Sequence, residues 1–391
     1  MKDFDEALEE LSKLLEAGMQ VWLLGAGASY DAKIPLMLQL TTKVCSLVAA
    51  PHDGPLASIR LELPGTAHIE HVLSHLGDLI AIASRSNSGN ATVGGSAYSA
   101  DLLKGLHAEV IRRIAETIRY GYRAAAGGAV EEEEVGTLQH PIVDVKHHSA
   151  FMEALFAGRA NLESRSRVVF ATTNYDTLIE DSLSLSRRRV VDGFSTGGIG
   201  FWTGHREEEV DRLPPRCHQV LKLHGSVDWL RSGDGSLVRA RYGTSYLSRL
   251  EDTLIYPQAT KYVETQRDPF AELFAAFRRL LASKESHVLC IVGYSFGDEH
   301  INLEIEEALK RETNKTNVIA FVREVGPAGA TLLPERLRAW TNSASFCNRV
   351  YVASDQALYA GGDRFSPAGC GELRWWSFAG LTNFLRTGSA T

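Results

Sequence analysis

Residues 21–29 read Val21-Trp22-Leu23-Leu24-Gly25-Ala26-Gly27-Ala28-Ser29, an unbroken apolar run that stops in a loop of small residues. A strand buried in a parallel sheet is continuously apolar. Glycines directly after it permit a tight turn and the close backbone approach that a pyrophosphate needs at the next helix N-terminus. The same pattern also arises where a turn merely packs closely against a neighbour. Two later segments end strands in the same manner. Val168 to Ala171 give way to Thr172-Thr173-Asn174-Tyr175-Asp176 and then to helical spacing, and Val220-Leu221-Lys222-Leu223 deliver His224 and Gly225. Ligands of open α/β sheets bind outside the carboxyl ends of the strands, so these three ends can share one crevice.

In this order, Gly-Ala-Gly-Ala-Ser (25–29), Thr-Thr-Asn-Tyr-Asp (172–176) and Lys-Leu-His-Gly-Ser (222–226) resemble the sirtuin NAD-binding fold. The resemblance is to its bacterial sirtuin-like branch associated with antiphage defence. A fourth segment, Ile291 to Asn302 with Gly293-Tyr294-Ser295-Phe296-Gly297-Asp298, resembles the late strand end of that branch, and His68 to Leu76 resembles the start of its helical insertion. The similarity spans about residues 20–320. It implies a Rossmann-like, mostly parallel α/β sheet with helices on both faces and an inserted helical module. The expected organisation is a catalytic domain from 1–50 and 165–330, a helical module at 51–164, and an extension at 331–391 packed on the catalytic domain.

The resemblance also implies site roles. Asn174 would orient the ribose and the attacking water, Asp176 would hold the nicotinamide carboxamide, and His224 would accept a proton from water or a ribose hydroxyl. The backbone of Gly25, Ala26, Gly27, Ala28 and Ser29 would take the pyrophosphate, with Thr173, Gly293, Tyr294 and Ser295 lining the nucleotide. The residue types suit these tasks: an amide fixes a water without competing as a nucleophile, and imidazole titrates near neutrality. Each also has a plain structural reading, since Asn and Asp after a strand cap helices and a histidine can be a satisfied core residue.

The chain departs from ordinary sirtuins at two points. It has no Cys-x-x-Cys, hence no four-cysteine zinc module, and Lys33-Ile34-Pro35-Leu36-Met37 stands where they resemble Gly-Ile-Pro-Asp-Phe-Arg. Loss of that flap favours water over an acyl-lysine as the acceptor, which gives NAD hydrolysis without a metal as the expected activity. A non-catalytic NAD or ADP-ribose sensor and a zinc-free deacylase are the alternatives. The resemblance to stand-alone sirtuin-like subunits further implies a homo-oligomer and a HerA-type ATPase partner.

Composition excludes several other classes. The 391 residues, 44% of them hydrophobic, can bury a large core, while no apolar run nears the roughly 20 residues a bilayer requires. An acidic start, Met1-Lys2-Asp3-Phe4-Asp5-Glu6, is unlike a secretory signal, and five widely spaced cysteines make no disulfide framework, so a cytoplasmic protein is expected. A net charge of -7 gives no global attraction to nucleic acid, and Arg187-Arg188-Arg189 and Arg278-Arg279 read as solvated helix faces. Glu131 to Glu134 read as an exposed loop. Gly293 to Gly297 form a Gly-x-Ser-x-Gly, but an esterase requires a histidine well after the serine, and only His300 follows, on the next helix. Asp298, Glu299 and His300 read as helix capping rather than metal ligands.

The periodicity predicts an opening amphipathic helix through Leu8, Leu11, Leu14 and Leu15, and helices near 36–49, 175, 270 and 299. It places strands at 167–171, near 220, at 287–292 and at 317–322, with a Gly-rich hairpin region after 220. The inserted module shows no alternating strand pattern, with a Ser, Gly and Asn-rich break from Ser84 to Ser99. Val350 to Val352 read as an edge strand and Leu373 to Leu385 as a closing helix.

Overall fold

The apolar run becomes an interior strand of a nine-stranded sheet. A computed structural model describes residues 3–16, 19–125, 132–157, 168–205, 213–214, 216–241, 250–255, 268–282, 287–326, 332–369 and 372–391. Helix α1 (Phe4–Leu14), closed at its start by an Asp3–Glu6 capping box, leads into β1 (Met19–Leu24). The inserted module follows with α2 (Met37–Leu47), α3 (Asp53–Glu62), α4 (Ile69–Arg85), β2 (Asn90–Val93), β3 (Ser96–Ser99), α5 (Ala100–Tyr120), β4 (Tyr122–Arg123) and β5 (Glu134–Val135). Helix α6 (Lys146–Ala157) returns to the main body.

The second run of elements is β6 (Val168–Thr172), α7 (Leu178–Leu185), β7 (Arg189–Val191), β8 (Ile199–Phe201), β9 (Cys217–Lys222), β10 (Gly225–Ser232), β11 (Leu237–Ala240) and β12 (Leu250–Ile255). Then come α8 (Phe270–Leu281), β13 (His287–Val292), α9 (Glu299–Lys310), β14 (Thr316–Val322), α10 (Glu335–Thr341), β15 (Val350–Ser354), β16 (Leu358–Ala360), β17 (Asp363–Phe365) and α11 (Phe378–Thr387). The large sheet has the order β17-β16-β15-β14-β13-β1-β6-β9-β7, parallel from β15 to β7 and antiparallel at β15-β16-β17. A smaller antiparallel sheet runs β12-β10-β11-β8. This is the mixed α/β architecture expected, a mostly parallel sheet flanked by helices.

Strand β1 shows why its sequence is apolar throughout. Both of its faces meet core: Trp22 and Leu24 pack with α1, α6 and α11, while Val21 and Leu23 pack with α8, α9 and α10. A third core joins α2 to α5, and it reaches the main body through Tyr175, Leu178 and Val227. That contact sets the inserted module against the strand ends.

Several sequence expectations change. The module does contain strands: β2 and β3 form a hairpin across Gly94 and Gly95, both with positive φ, within the stretch read as a break. Four-residue strands are too short to show alternation in a Ser and Gly-rich background. Val350 to Val352 are interior, between β14 and β16, so residues after 331 complete the sheet as well as packing on it. The arginine run is a turn and strand start rather than a helix face. Arg188 is buried, with its guanidinium 3.6 Å from the Phe156 ring centre and Nη1 3.3 Å from His218 Nε2. Arg278 does lie on a helix, α8, and pairs with Glu304 of α9. Within the acidic run, Glu133 pairs with Lys43 at 2.9 Å and Glu134 with Lys33 at 2.7 Å, and Glu134 starts β5; Glu131 lies outside the described residues.

Candidate functional site at the strand ends

The parallel register aligns Val292, Leu24, Thr172 and Lys222 as the last residues of β13, β1, β6 and β9 in a single row. The ladder continues one step further, through Gly25 N to Val292 O at 3.0 Å, Thr173 N to Leu24 O at 3.1 Å and Leu223 N to Thr172 O at 2.9 Å. Gly293, Gly25, Asn174 and His224 therefore emerge from four neighbouring strands at the same edge of the sheet.

On one side of this edge the contacts are backbone on backbone. A Cβ on Gly25 would stand 2.5 Å from Gly293 O, one on Gly27 would stand 2.8 Å from Gly293 Cα, and one on Gly293 would stand 2.2 Å from Ala28 N. Gly293 also has φ of +64°. These glycines thus let two strand ends touch. The N–H groups of Gly25, Gly27 and Ala28 donate to Val292 O, Gly293 O and Gly25 O. Two of these acceptors lie at the end of β13 and the third is the loop's own Gly25 carbonyl. The single 3-10 turn Ala26–Ser29 follows.

On the other side the contacts are between side chains. Asn174 is half-buried, and its Nδ2 donates to Gly25 O at 3.0 Å and Ser29 Oγ at 2.9 Å, so the amide bridges β6 to the glycine loop. Asp176 is buried. Its Oδ1 accepts from Leu178 N at 3.1 Å, an i to i+2 bond from the residue before the Thr177 N-cap of α7, while its Oδ2 has no hydrogen-bond partner among the described residues. Thr173 is half-buried beside them. His224 is 2% exposed at the reversal from β9 into β10, where Gly225 takes φ of +85°. Its Nε2 lies 2.8 Å from Asp298 Oδ2.

That contact corrects the reading of Asp298. It occupies the N-cap position of α9, yet its side chain makes no capping bond and faces His224 instead. Among the described residues no group of three or more His, Cys, Asp or Glu side chains is gathered for a metal ion. Tyr294 turns its ring into the core, with its hydroxyl donating to Asp298 O at 3.1 Å and Asn302 Oδ1 at 3.3 Å, so it supports the site from behind. Ser295 is exposed and its Oγ accepts from Gly297 N at 3.3 Å. The positive φ falls on Phe296, at 59°, and not on the serine, unlike a nucleophile elbow.

Lys222, Glu180 and Glu70 were given no role from sequence. Lys222 is 1% exposed, with Nζ donating to Asp176 O and lying 3.5 Å from Glu180 Oε1. A lysine inside an apolar strand is a sequence signal, because a buried ammonium requires partners. Burial pushes the Glu180 carboxyl up to about 7, against the pull of Lys222 and Arg241. Glu70 of α4, also buried, accepts from Tyr175 OH at 2.5 Å, and burial together with Glu70 and Asp298 holds that phenol protonated. This bond ties the inserted module to the loop that carries Asn174.

The fold and its edge define a doubly wound α/β protein with a polar site at the carboxyl ends of its parallel strands. Residues 168–345 match the family described as SIR2-like domain, just under half of the chain. The match supports a Sir2-like family and NAD-related activity in general. It contains Asn174, Asp176, His224, Gly293 and Asp298 and leaves out Gly25–Ser29, which the sheet brings back between β13 and β6. No curated protein matches the chain. No described helix is long and apolar enough to cross a membrane.

Proposed function

We propose that the chain hydrolyses NAD at the nicotinamide–ribose bond, giving nicotinamide, ADP-ribose and a proton. The observation that supports this is the row itself: Asn174, Asp176 and His224 follow the ends of adjacent strands, and Asp176 has a buried carboxylate oxygen without a hydrogen-bond partner among the described residues. A carboxamide N–H is a donor that such an oxygen fits. Nicotinamide leaves as a neutral pyridine, so no acid has to protonate it, and the remaining needs are orientation and a base. Asn174, bonded to the glycine loop, supplies the first, and His224 the second.

In this reading NAD is the substrate, no metal takes part, and depletion of NAD serves antiphage defence. A homo-oligomer and a HerA-type ATPase are the partners. The test is to incubate the purified chain with NAD, alone and with such an ATPase, and to quantify nicotinamide and ADP-ribose beside Asn174→Ala and His224→Ala. Release lost in both variants is expected. NAD bound but never cleaved would replace the hydrolase with a sensor, and release that demands an acylated peptide would replace it with a deacylase. A monomer in native mass measurement at micromolar concentration, with and without the ATPase, would remove the assembly.

A further inference from the structure

We propose that Lys222 is a positioning residue for Asp176: its ammonium fixes the Asp176 peptide, and so sets the carboxylate for the carboxamide of a nicotinamide dinucleotide. The inference rests on the reading above that Asp176 takes that carboxamide, and on contacts within the protein for the positioning itself.

The segment between β6 and α7 is held group by group. Thr173 N donates to Leu24 O at 3.1 Å and Asn174 N to Thr172 Oγ1 at 3.0 Å, which ties its start to β1 and β6. Tyr175 O accepts from Val227 N at 2.9 Å and from Ser226 Oγ at 3.3 Å, both of β10. Asp176 O accepts from Nζ of Lys222, the last residue of β9. The Tyr175 carbonyl keeps its backbone donor whatever side chains stand in β10. The bond to the Asp176 carbonyl comes from a side chain, so a substitution can remove it. A carbonyl held in direction fixes the plane of its peptide, and with Oδ1 bonded to Leu178 N at 3.1 Å the rotation of the carboxylate is set as well.

A neutral donor would satisfy a carbonyl more cheaply, because a buried ammonium gives up its hydration. Lys222 is 1% exposed, and the nearby Glu180 Oε1 lies 3.5 Å from Nζ. Burial pushes the Glu180 carboxyl up to about 7, so at neutral pH it is ionised only in part and does not fully cancel the ammonium. Positive charge is thus held beside the peptide that carries Asp176, whose Oδ2 is buried without a hydrogen-bond partner among the described residues. Arg241, the residue after β11, extends the support. Its Nη1 lies 3.0 Å from Asp181 Oδ1 and its Nε 3.5 Å from Asp228 Oδ2, so the first turn of α7 is tied to the smaller sheet.

The experiment is calorimetric titration of the purified chain with two probes: carbocyclic NAD, which keeps the carboxamide but cannot be hydrolysed, and ADP-ribose, which lacks nicotinamide. Lys222→Met is made together with Glu180→Gln, so that Glu180 is not left buried as an unpaired charge, and is compared with Glu180→Gln alone. Carbocyclic NAD is expected to bind about 10-fold more weakly, with ADP-ribose within about twofold. In an Asp176→Ala background the same change is expected to add less than about twofold, because the group through which Lys222 acts is gone. Equal weakening of both probes would make Lys222 a general support of the fold and overturn the proposal. So would a 10-fold loss that persists without Asp176, or unchanged affinity for carbocyclic NAD. Asp176→Ala alone leaving that affinity intact would remove the carboxamide assignment and this inference with it. Cleavage is scored separately: a wild-type chain that shows the expected probe pattern but releases no nicotinamide from NAD sinks the hydrolase and leaves the positioning role standing. A wild-type chain that binds neither probe sinks both.

Discussion

The two sides of the strand-end crevice are built by different physics. Between β1 and β13, Gly25, Gly27 and Gly293 bring backbone to within contact of backbone, and what matters is the absence of atoms. At the ends of β6 and β9, polar side chains reach specific partners, Asn174 the glycine loop, Lys222 the Asp176 carbonyl and His224 the Asp298 carboxylate, and what matters is which atoms are present. A close backbone contact has one tolerated residue and fails by strain. A polar network fails by losing a partner, at a cost that depends on protonation and on whatever else can bond to the freed group. The first kind of error should therefore appear as lost stability and the second chiefly as lost chemistry.

The strongest way to break this comparison is Gly293→Ala. Its methyl would meet Ala28 N at 2.2 Å and sit on a positive φ, and the neighbouring atoms are backbone that cannot swing aside. Strain and overpacking together predict a loss of about 4 kcal/mol in unfolding free energy, measured by urea titration. A loss under about 1 kcal/mol would mean that the two strand ends separate easily and that the glycine side is not rigid.

Protonation should dominate the polar side. Glu180, raised to about 7 by burial, binds its proton more tightly folded than unfolded. The stability this gives is complete below about 4.5 and is lost as pH rises through 7. Going from pH 4.5 to 8, the stability difference should move in favour of Glu180→Gln by about 3 kcal/mol. Buried His148, His205 and His218 act oppositely, each lowered to about 4 by desolvation. Their contribution is present above pH 6.5 and lost as pH falls through 4, so wild-type melting temperature should fall on both sides of a maximum. A flat profile from pH 4 to 8 would contradict both assignments.

Smaller effects sharpen the contrast. Asn174→Ala removes the bonds to Gly25 O and Ser29 Oγ and should cost about 1–2 kcal/mol, while abolishing nicotinamide release. Loss of stability matching that of Gly293→Ala would show the bridge to be structural first. Glu70→Gln keeps an acceptor for Tyr175 OH and loses only its charge, so about 1 kcal/mol is expected by thermal unfolding.

Legibility followed the same division. The glycine loop, the Asn174 and His224 strand ends and the helices at 270–281 and 299–310 all stand in the sequence as runs of consecutive residues. The role of Asp298 does not, because a local reading of Asp-Glu-His before a helix gives capping, and its actual partner lies 74 positions earlier, at His224. The β2–β3 hairpin escaped because its strands are too short to show a period, and β15 read as an edge because nothing local to it reveals β16 and β17 beyond.

By itself the sequence determined the parallel α/β sheet and which strand ends carry polar groups, since hydrophobic period and small-residue breaks are local properties of the chain. Only the tertiary structure decided which ends are neighbours. The order β13-β1-β6-β9 sets Gly293 against Gly25, Asn174 against Ser29 and Asp298 against His224, pairings far apart in the chain that exist only once the strands have registered. A side chain's partner is fixed by the packing of whole elements, and no local pattern encodes it.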